Sequence, residues 1–257
     1  MARNAPSISH LFFADDSFLF SRASGPEARA WMDILRRYEY ASGQKINIEK
    51  SSVIFSPNTS QMDREEIKGI LGMREVNDTG LYLGLPSIIQ RSKYASFTFI
   101  RDRIVKKLQG WDELLLSKAG KEVLLKAVIQ ALPTYTMGVY KIPPRLIQEI
   151  EVIMNRYWWS HDTRNGRGLK WKAWCKLCVH KFDGGMGFKF LQDFNTAMLG
   201  KQGWRLLDRP GSLVARVMKA KYYPNCDILD ARDKPGSSYI WTSIIHGLTV
   251  VREGVRR

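Results

Sequence analysis

Leu11-Phe12-Phe13-Ala14-Asp15-Asp16-Ser17-Phe18-Leu19-Phe20 sets two adjacent carboxylates between two apolar, aromatic runs of strand-like composition. That pattern predicts a β-hairpin with the acids at its turn. Successive strand residues face opposite sides of a sheet, so neighbouring aspartates converge on one point only where the strand bends. A carboxylate pair at such a bend suits hard divalent cations, and Mg²⁺ takes one or two carboxylates together with substrate phosphates. Aspartate is also common turn chemistry, so the pair alone leaves both readings open.

Charge is distributed unevenly around this stretch. Residues 1–90 hold 10 Lys/Arg and 11 Asp/Glu, a net −1, whereas residues 91–257 hold 30 and 14, a net +16. The excess basicity therefore lies downstream of the acidic hairpin, as expected of a segment that holds a phosphate backbone. The 44% apolar content excludes a disordered chain, and 257 residues suffice to bury a sizeable core. Three cysteines (Cys175, Cys178, Cys226) cannot form a fully paired disulfide framework, which points to a reducing compartment. The first residues have no apolar segment of signal-peptide type, and no uncharged run reaches membrane-spanning length.

Punctuation residues give the next elements. Pro26 and Glu27 after Ser24 open a helix that Gly43 closes, with Ala28, Trp31, Ile34, Leu35 and Tyr38 as a core stripe. Residues 44–55 alternate and predict two short strands, and Ser60 to Gly72 predicts a short helix. Residues 91–160 predict helices, with Phe97, Ile100, Ile104 and Leu108 on one face. The fold class expected is α+β, divided into 1–90, 91–160 and 161–257.

Phe13-Ala14-Asp15-Asp16 within Ile8–Ser17 resembles the aromatic-Ala-Asp-Asp box of reverse transcriptases, and more narrowly that of LINE-class (non-LTR) retrotransposons of plants. The resemblance continues in family order through Gly43-Gln44-Lys45-Ile46-Asn47-Ile48-Glu49-Lys50-Ser51 and Tyr82-Leu83-Gly84-Leu85-Pro86. Beyond these it takes in Leu116-Ser117-Lys118-Ala119-Gly120-Lys121 with Pro133–Met137, then Gly184-Gly185-Met186-Gly187-Phe188, and finally Phe194-Asn195 and Ser238–Ser243.

It implies a partial palm (1–90), a helical thumb (91–160) and a basic linker (161–257). By resemblance Asp15 binds catalytic Mg²⁺ with Asp16 as its weaker neighbour, and Phe13 lies under the primer end. Lys50 would lie near the incoming nucleotide and assist pyrophosphate departure, which requires its charge to be held close to the phosphates. A solvent-facing lysine at a strand end is the plain alternative. Gly84 would permit close backbone approach at the element that seats the primer, or belong to an ordinary edge strand stopped by Pro86. Lys118, Lys121 and Lys126 are the candidate phosphate contacts on the thumb.

The partners implied are an RNA template and a DNA primer, with no membrane; the family acts on chromosomal DNA in the nucleus. Cys175-x-x-Cys178 with His180 and His161 lacks the second ligand pair of a structural zinc site. No Asp or Glu precedes Asp15, so the further metal-binding carboxylate that the family draws from another palm strand is missing. The expectation is a polymerase fragment inactive alone, the alternative a non-catalytic nucleic-acid binder. A translated relic without function is the third reading.

Overall fold

The computed structural model describes residues 5–78, 80–112, 116–159 and 169–255. The chain is α+β and separates into a unit Ser7–Ile88 and a larger one built chiefly from Ile89–Arg257. The expected boundary at 160 falls inside the larger unit.

In Ser7–Ile88, β1 (His10–Phe13) and β2 (Asp16–Leu19) pair antiparallel, with Phe13 opposite Asp16 and His10 opposite Leu19. Helix α1 (Gly25–Ser42) begins with Pro26 in its first turn and ends at Gly43, whose φ of 70° is the left-handed conformation of a helix C-cap. Helix α2 (Gln61–Leu71) starts where the Ser60 hydroxyl accepts from the Asp63 amide at 3.1 Å, and ends at Gly72 with φ 66°. Strands β3 (Ser52–Val53) and β4 (Arg74–Glu75) pair parallel, and Arg64 of α2 bridges to Glu75 at 2.6 Å.

The α1 stripe is only partly core. Ala28 is buried and Trp31 and Leu35 are half-buried, but Ile34 and Tyr38 are exposed. Of the two strands expected over 44–55 only Ser52–Val53 forms. Asn47 diverts the first: its side chain accepts from the Lys50 amide at 3.0 Å and its carbonyl from the Ser51 amide at 3.0 Å. An Asx turn of this kind competes locally with strand pairing.

Residues 81–86 likewise form a tight hairpin, β5 (Leu81–Tyr82) with β6 (Leu85–Pro86), rather than a lone edge strand. Its two central residues, Leu83 and Gly84, have φ of 49° and 76°, the positive values that two-residue hairpin turns of type I′ require. The Tyr82 ring meets Phe18 of β2 edge-on at 4.4 Å, which joins the two hairpins.

The larger unit is helical. Helix α3 (Lys93–Asp112) turns Phe97, Ile100, Ile104 and Leu108 into the core, all buried as their spacing predicts. Helix α4 (Lys118–Leu124) passes into a π-helical turn at 125–129, and α5 (Thr134–Met137) follows. Helix α6 (Pro144–Trp159) buries Leu146, Ile147, Ile150, Met154, Tyr157 and Trp158. Short α7 (Trp174–Cys178) precedes the long α8 (Leu191–Asp208), then α9 (Leu213–Tyr222) and α10 (Tyr239–Gly254).

Helices α8 and α10 cross at glycines. A Cβ added to Gly247 would lie 2.3 Å from the Leu199 carbonyl carbon, and one at Gly203 would lie 2.7 Å from Leu248 Cδ2. Only side-chain-free positions allow backbones this close.

Three buried polar side chains staple the loops to this frame. Asn195 Oδ1 accepts from the Ile142 amide at 2.8 Å, while its Nδ2 donates to the Met137 and Tyr140 carbonyls at 2.9 and 3.0 Å. Gln130 pairs with both the amide and the carbonyl of Lys189, and Ser243 Oγ accepts from the Lys141 amide at 2.9 Å. Each satisfies backbone groups that burial would otherwise leave unpaired. No described helix is long and apolar enough to cross a membrane.

Candidate functional site

The acidic hairpin turns on two residues, Ala14 and Asp15, between Phe13 and Asp16. Ala14 has φ 49°, a left-handed conformation that costs a residue with a Cβ about 1 kcal/mol. The turn thus puts Asp15 at the tip and Asp16 at the first position of β2. Both acids are exposed. So are the aromatic residues beside them: Phe12 keeps 66% and Phe13 59% of its surface in solvent. A hairpin this exposed presents the carboxylates freely. Two neighbouring carboxylates match what one Mg²⁺ takes from a protein when phosphate oxygens and water complete its shell. A pair of ions spanning an attacking and a leaving oxygen needs more donors. Among the described residues no group of three or more His, Cys, Asp or Glu is placed to hold a metal ion. The two acids by themselves match the protein's share of one such ion.

Lys50 ends the Asn47 turn with its side chain exposed, in the same small unit. Gly84 sits in the β5–β6 turn, and a Cβ added there would meet nothing within 4 Å. Its backbone dihedral, not close approach of another chain segment, is what calls for glycine.

The three thumb lysines differ in exposure: Lys121 is buried, Lys126 half-buried and Lys118 exposed, and each has partners within the helical unit. Lys118 Nζ donates to the Trp158 carbonyl at 2.5 Å and lies over the Trp158 and Trp159 rings at 5.1 and 5.3 Å. Burial lowers its pKa. Lys121 is 9% exposed, donates to the Tyr157 carbonyl at 3.3 Å and covers the Tyr157 ring. These carbonyls are the last of α6, where the unsatisfied C=O groups and the negative end of the helix dipole attract a cation. Lys126 donates to Glu122 at 2.7 Å and to the Met186 carbonyl at 2.5 Å, over the Phe188 ring. The Glu122 carboxyl is held below its ordinary range by hydrogen bonds from Lys126 and then Lys181. A phosphate contact needs an ammonium in reach of solvent. Buried Lys121 has none to offer, half-buried Lys126 is engaged by Glu122 and the Met186 carbonyl, and Lys118 stays exposed while it bonds the Trp158 carbonyl.

Cys178 packs in the core, its thiol pushed up to about 12 by burial and by the Glu151 charge, while Cys175 is exposed. His180 accepts from the Phe182 amide at 3.3 Å and so serves the turn that follows it. His161 lies outside the described residues.

The chain is 37% identical over 128 residues to the "Uncharacterized mitochondrial protein AtMg00310" of Arabidopsis thaliana, across 49% of this chain and 82% of that protein. The chain belongs to that protein's family. It is also 31% identical over 175 residues, 66% of its length, to the Arabidopsis thaliana "Putative ribonuclease H protein At1g65750". That second match takes in 28% of the relative, so the chain spans under a third of its length. No protein-family model matches the chain.

Sequence reasoning did not find Gln130, Asn195 and Ser243 as staples. Their signal is a polar residue set in an apolar helical stripe, where burial demands a partner. Nor did it find the other exposed basic side chains of the helical unit. Lys170, Lys176, Lys201 and Arg205 are among them.

Proposed function

We propose that this chain derives from the reverse transcriptase of a non-LTR retrotransposon and binds nucleic acid through the helical unit 89–257. The observation that carries the reading is the hairpin: Phe13-Ala14-Asp15-Asp16 folds as a tight exposed turn that presents both acids. A net +16 over residues 91–257 supports a polyanionic partner, of which an RNA template paired to a DNA primer is the form the resemblance implies. Similarity to a protein named for ribonuclease H, whose substrate is nucleic acid, supports the same class of partner.

Asp15 and Asp16 would hold Mg²⁺ against a nucleotide phosphate, with Phe13 beside the primer end and Lys50 toward the departing pyrophosphate. The metal would stabilise charge on phosphoryl oxygens. The chain's own part is to fix the two carboxylates at a strained turn. Because these donors make only part of a two-ion clamp, the isolated chain is inactive. Purified protein incubated with primed RNA, deoxynucleotides and Mg²⁺ gives no primer extension on this reading. Extension that disappears in Asp15→Asn would overturn it.

The second reading, a nucleic-acid binder without catalysis, is favoured by the absence of a third metal donor among the described residues. It shares the binding surface and differs only in leaving the hairpin without a role.

A further inference from the structure

Residues 169–190 carry two large rings in solvent. Trp171 is 76% exposed and Phe182 94%, unusual values for a tryptophan and a phenylalanine in a unit with so large a core. The Lys172 carbonyl accepts from Trp159 Nε1 at 3.2 Å, and Lys172 Nζ donates to the Gly184 carbonyl at 3.2 Å. These two bonds stitch the Trp171 backbone to α6 on one side and to the 181–184 turn on the other.

That turn is itself built to project Phe182. His180 receives the Phe182 amide, the Gly185 amide donates back to the His180 carbonyl at 3.1 Å, and Gly184 takes φ 79°. Gly185 then crosses under Val179, where an added Cβ would stand 1.9 Å from the Val179 carbonyl oxygen. The Gly184-Gly185-Met186-Gly187 string is thus the hinge of a rigid turn, with a ring at its tip.

The charge around the two rings is one-sided. Residues 169–190 contain Lys170, Lys172, Lys176, Lys181 and Lys189 against a single acid, Asp183, and all five lysines are exposed. Lys181 also reaches Glu122 at 3.0 Å, Lys172 reaches Gly184, and Lys189 lies over the Phe194 ring, whereas the Lys170 and Lys176 side chains have no hydrogen bond among the described residues. Exposed aromatic faces among cations are what unpaired bases and their phosphates recognise: each base stacks on a ring while its phosphate meets a lysine. A duplex keeps its base faces stacked internally and cannot use such rings.

We propose that Trp171 and Phe182, with Lys170 and Lys176, form a stacking platform for single-stranded nucleic acid. This deepens the nucleic-acid reading above and rests on it.

The test measures affinity of the full chain for a fluorescein-labelled oligothymidylate and for an RNA–DNA duplex by fluorescence anisotropy. Trp171→Ala and Phe182→Ala should each weaken oligothymidylate binding by about tenfold, leave duplex binding within about twofold, and leave thermal unfolding unchanged. Trp171→Phe should retain most of the affinity. Lys170→Gln with Lys176→Gln should flatten the salt dependence by about two phosphates' worth. Unchanged oligothymidylate affinity in both alanine variants, or equal losses on duplex and single strand, overturns the platform. A wild-type chain that binds duplex but not oligothymidylate also overturns it and leaves the function proposed above standing. Binding to neither sinks both. Partition onto phosphatidylserine vesicles with no oligothymidylate binding would make the surface lipid-facing and overturns the platform too.

Discussion

The two units of this chain use their apolar residues in opposite ways. In Ser7–Ile88 the buried residues among those described are Gly25, Ala28, Ile67 and Pro86, while Leu11, Phe12, Phe13, Phe20, Ile34 and Tyr38 are exposed. In the helical unit nearly every long helix drives a full stripe inward, and buried Asn195, Gln130 and Ser243 close the loops. The difference teaches where stability and chemistry reside. The unit that carries the acidic motif has little core of its own, and two-stranded ribbons are marginal in isolation. The unit that carries the positive charge has a dense interior and turns part of that charge into structure.

Perturbations sized to each unit test this contrast. Gly247→Ala attacks the α8–α10 crossing, where the added Cβ would press on Leu199 and Gly200 backbone atoms. Overpacking against backbone should cost about 3 kcal/mol, read as a lower urea midpoint for the helical unit. If Gly247→Ala unfolds like wild type, the crossing is looser than described and the contrast weakens.

A smaller effect follows from Glu122. Its folded pKa lies below the ordinary 4.5, so its stabilising contribution is present above that value and lost as pH falls through the folded pKa. Glu122→Gln should therefore lower the melting temperature at neutral pH and flatten part of the acid limb. A variant with the wild-type acid limb would show that the Lys126–Glu122–Lys181 group does not couple to folding.

The smallest effect belongs to the thin unit. Gly69 lies inside α2 with nothing within 4 Å of an added Cβ. Gly69→Ala should stabilise α2 by about 0.5–1 kcal/mol, seen as slower amide exchange along 61–71. Faster exchange there would mean that α2 depends on a packing contact that the methyl disturbs.

Much of this architecture was legible in the residues. Pro26 and Gly43 bound α1, Ser60 and Gly72 bound α2, and the step from Phe97 to Leu108 marked a buried face, because caps and periodicity are local signals. The hairpin around Ala14–Asp15 was legible for the same reason. What stayed hidden depends on distant partners. Lys118 and Lys121 look like phosphate ligands until the end of α6, some forty residues on, supplies their carbonyls and rings. The Asn47 turn replaced an alternating strand because the Asn47 side chain captured the Lys50 amide and its carbonyl the Ser51 amide. The two-residue parallel pairing of 52–53 with 74–75 leaves no sequence signature at all. Of the candidate site, the hairpin acids were readable, whereas the platform of Trp171 and Phe182 needed the exposure of each ring.

The central claim is that the helical unit's positive charge serves a polynucleotide. Titration of the full chain with an RNA–DNA duplex across a range of salt concentrations tests it most directly. Binding should be measurable at low salt and fall linearly on a log–log scale, with a slope equivalent to several released counterions. Binding that is undetectable at low salt, or indifferent to salt, would contradict it.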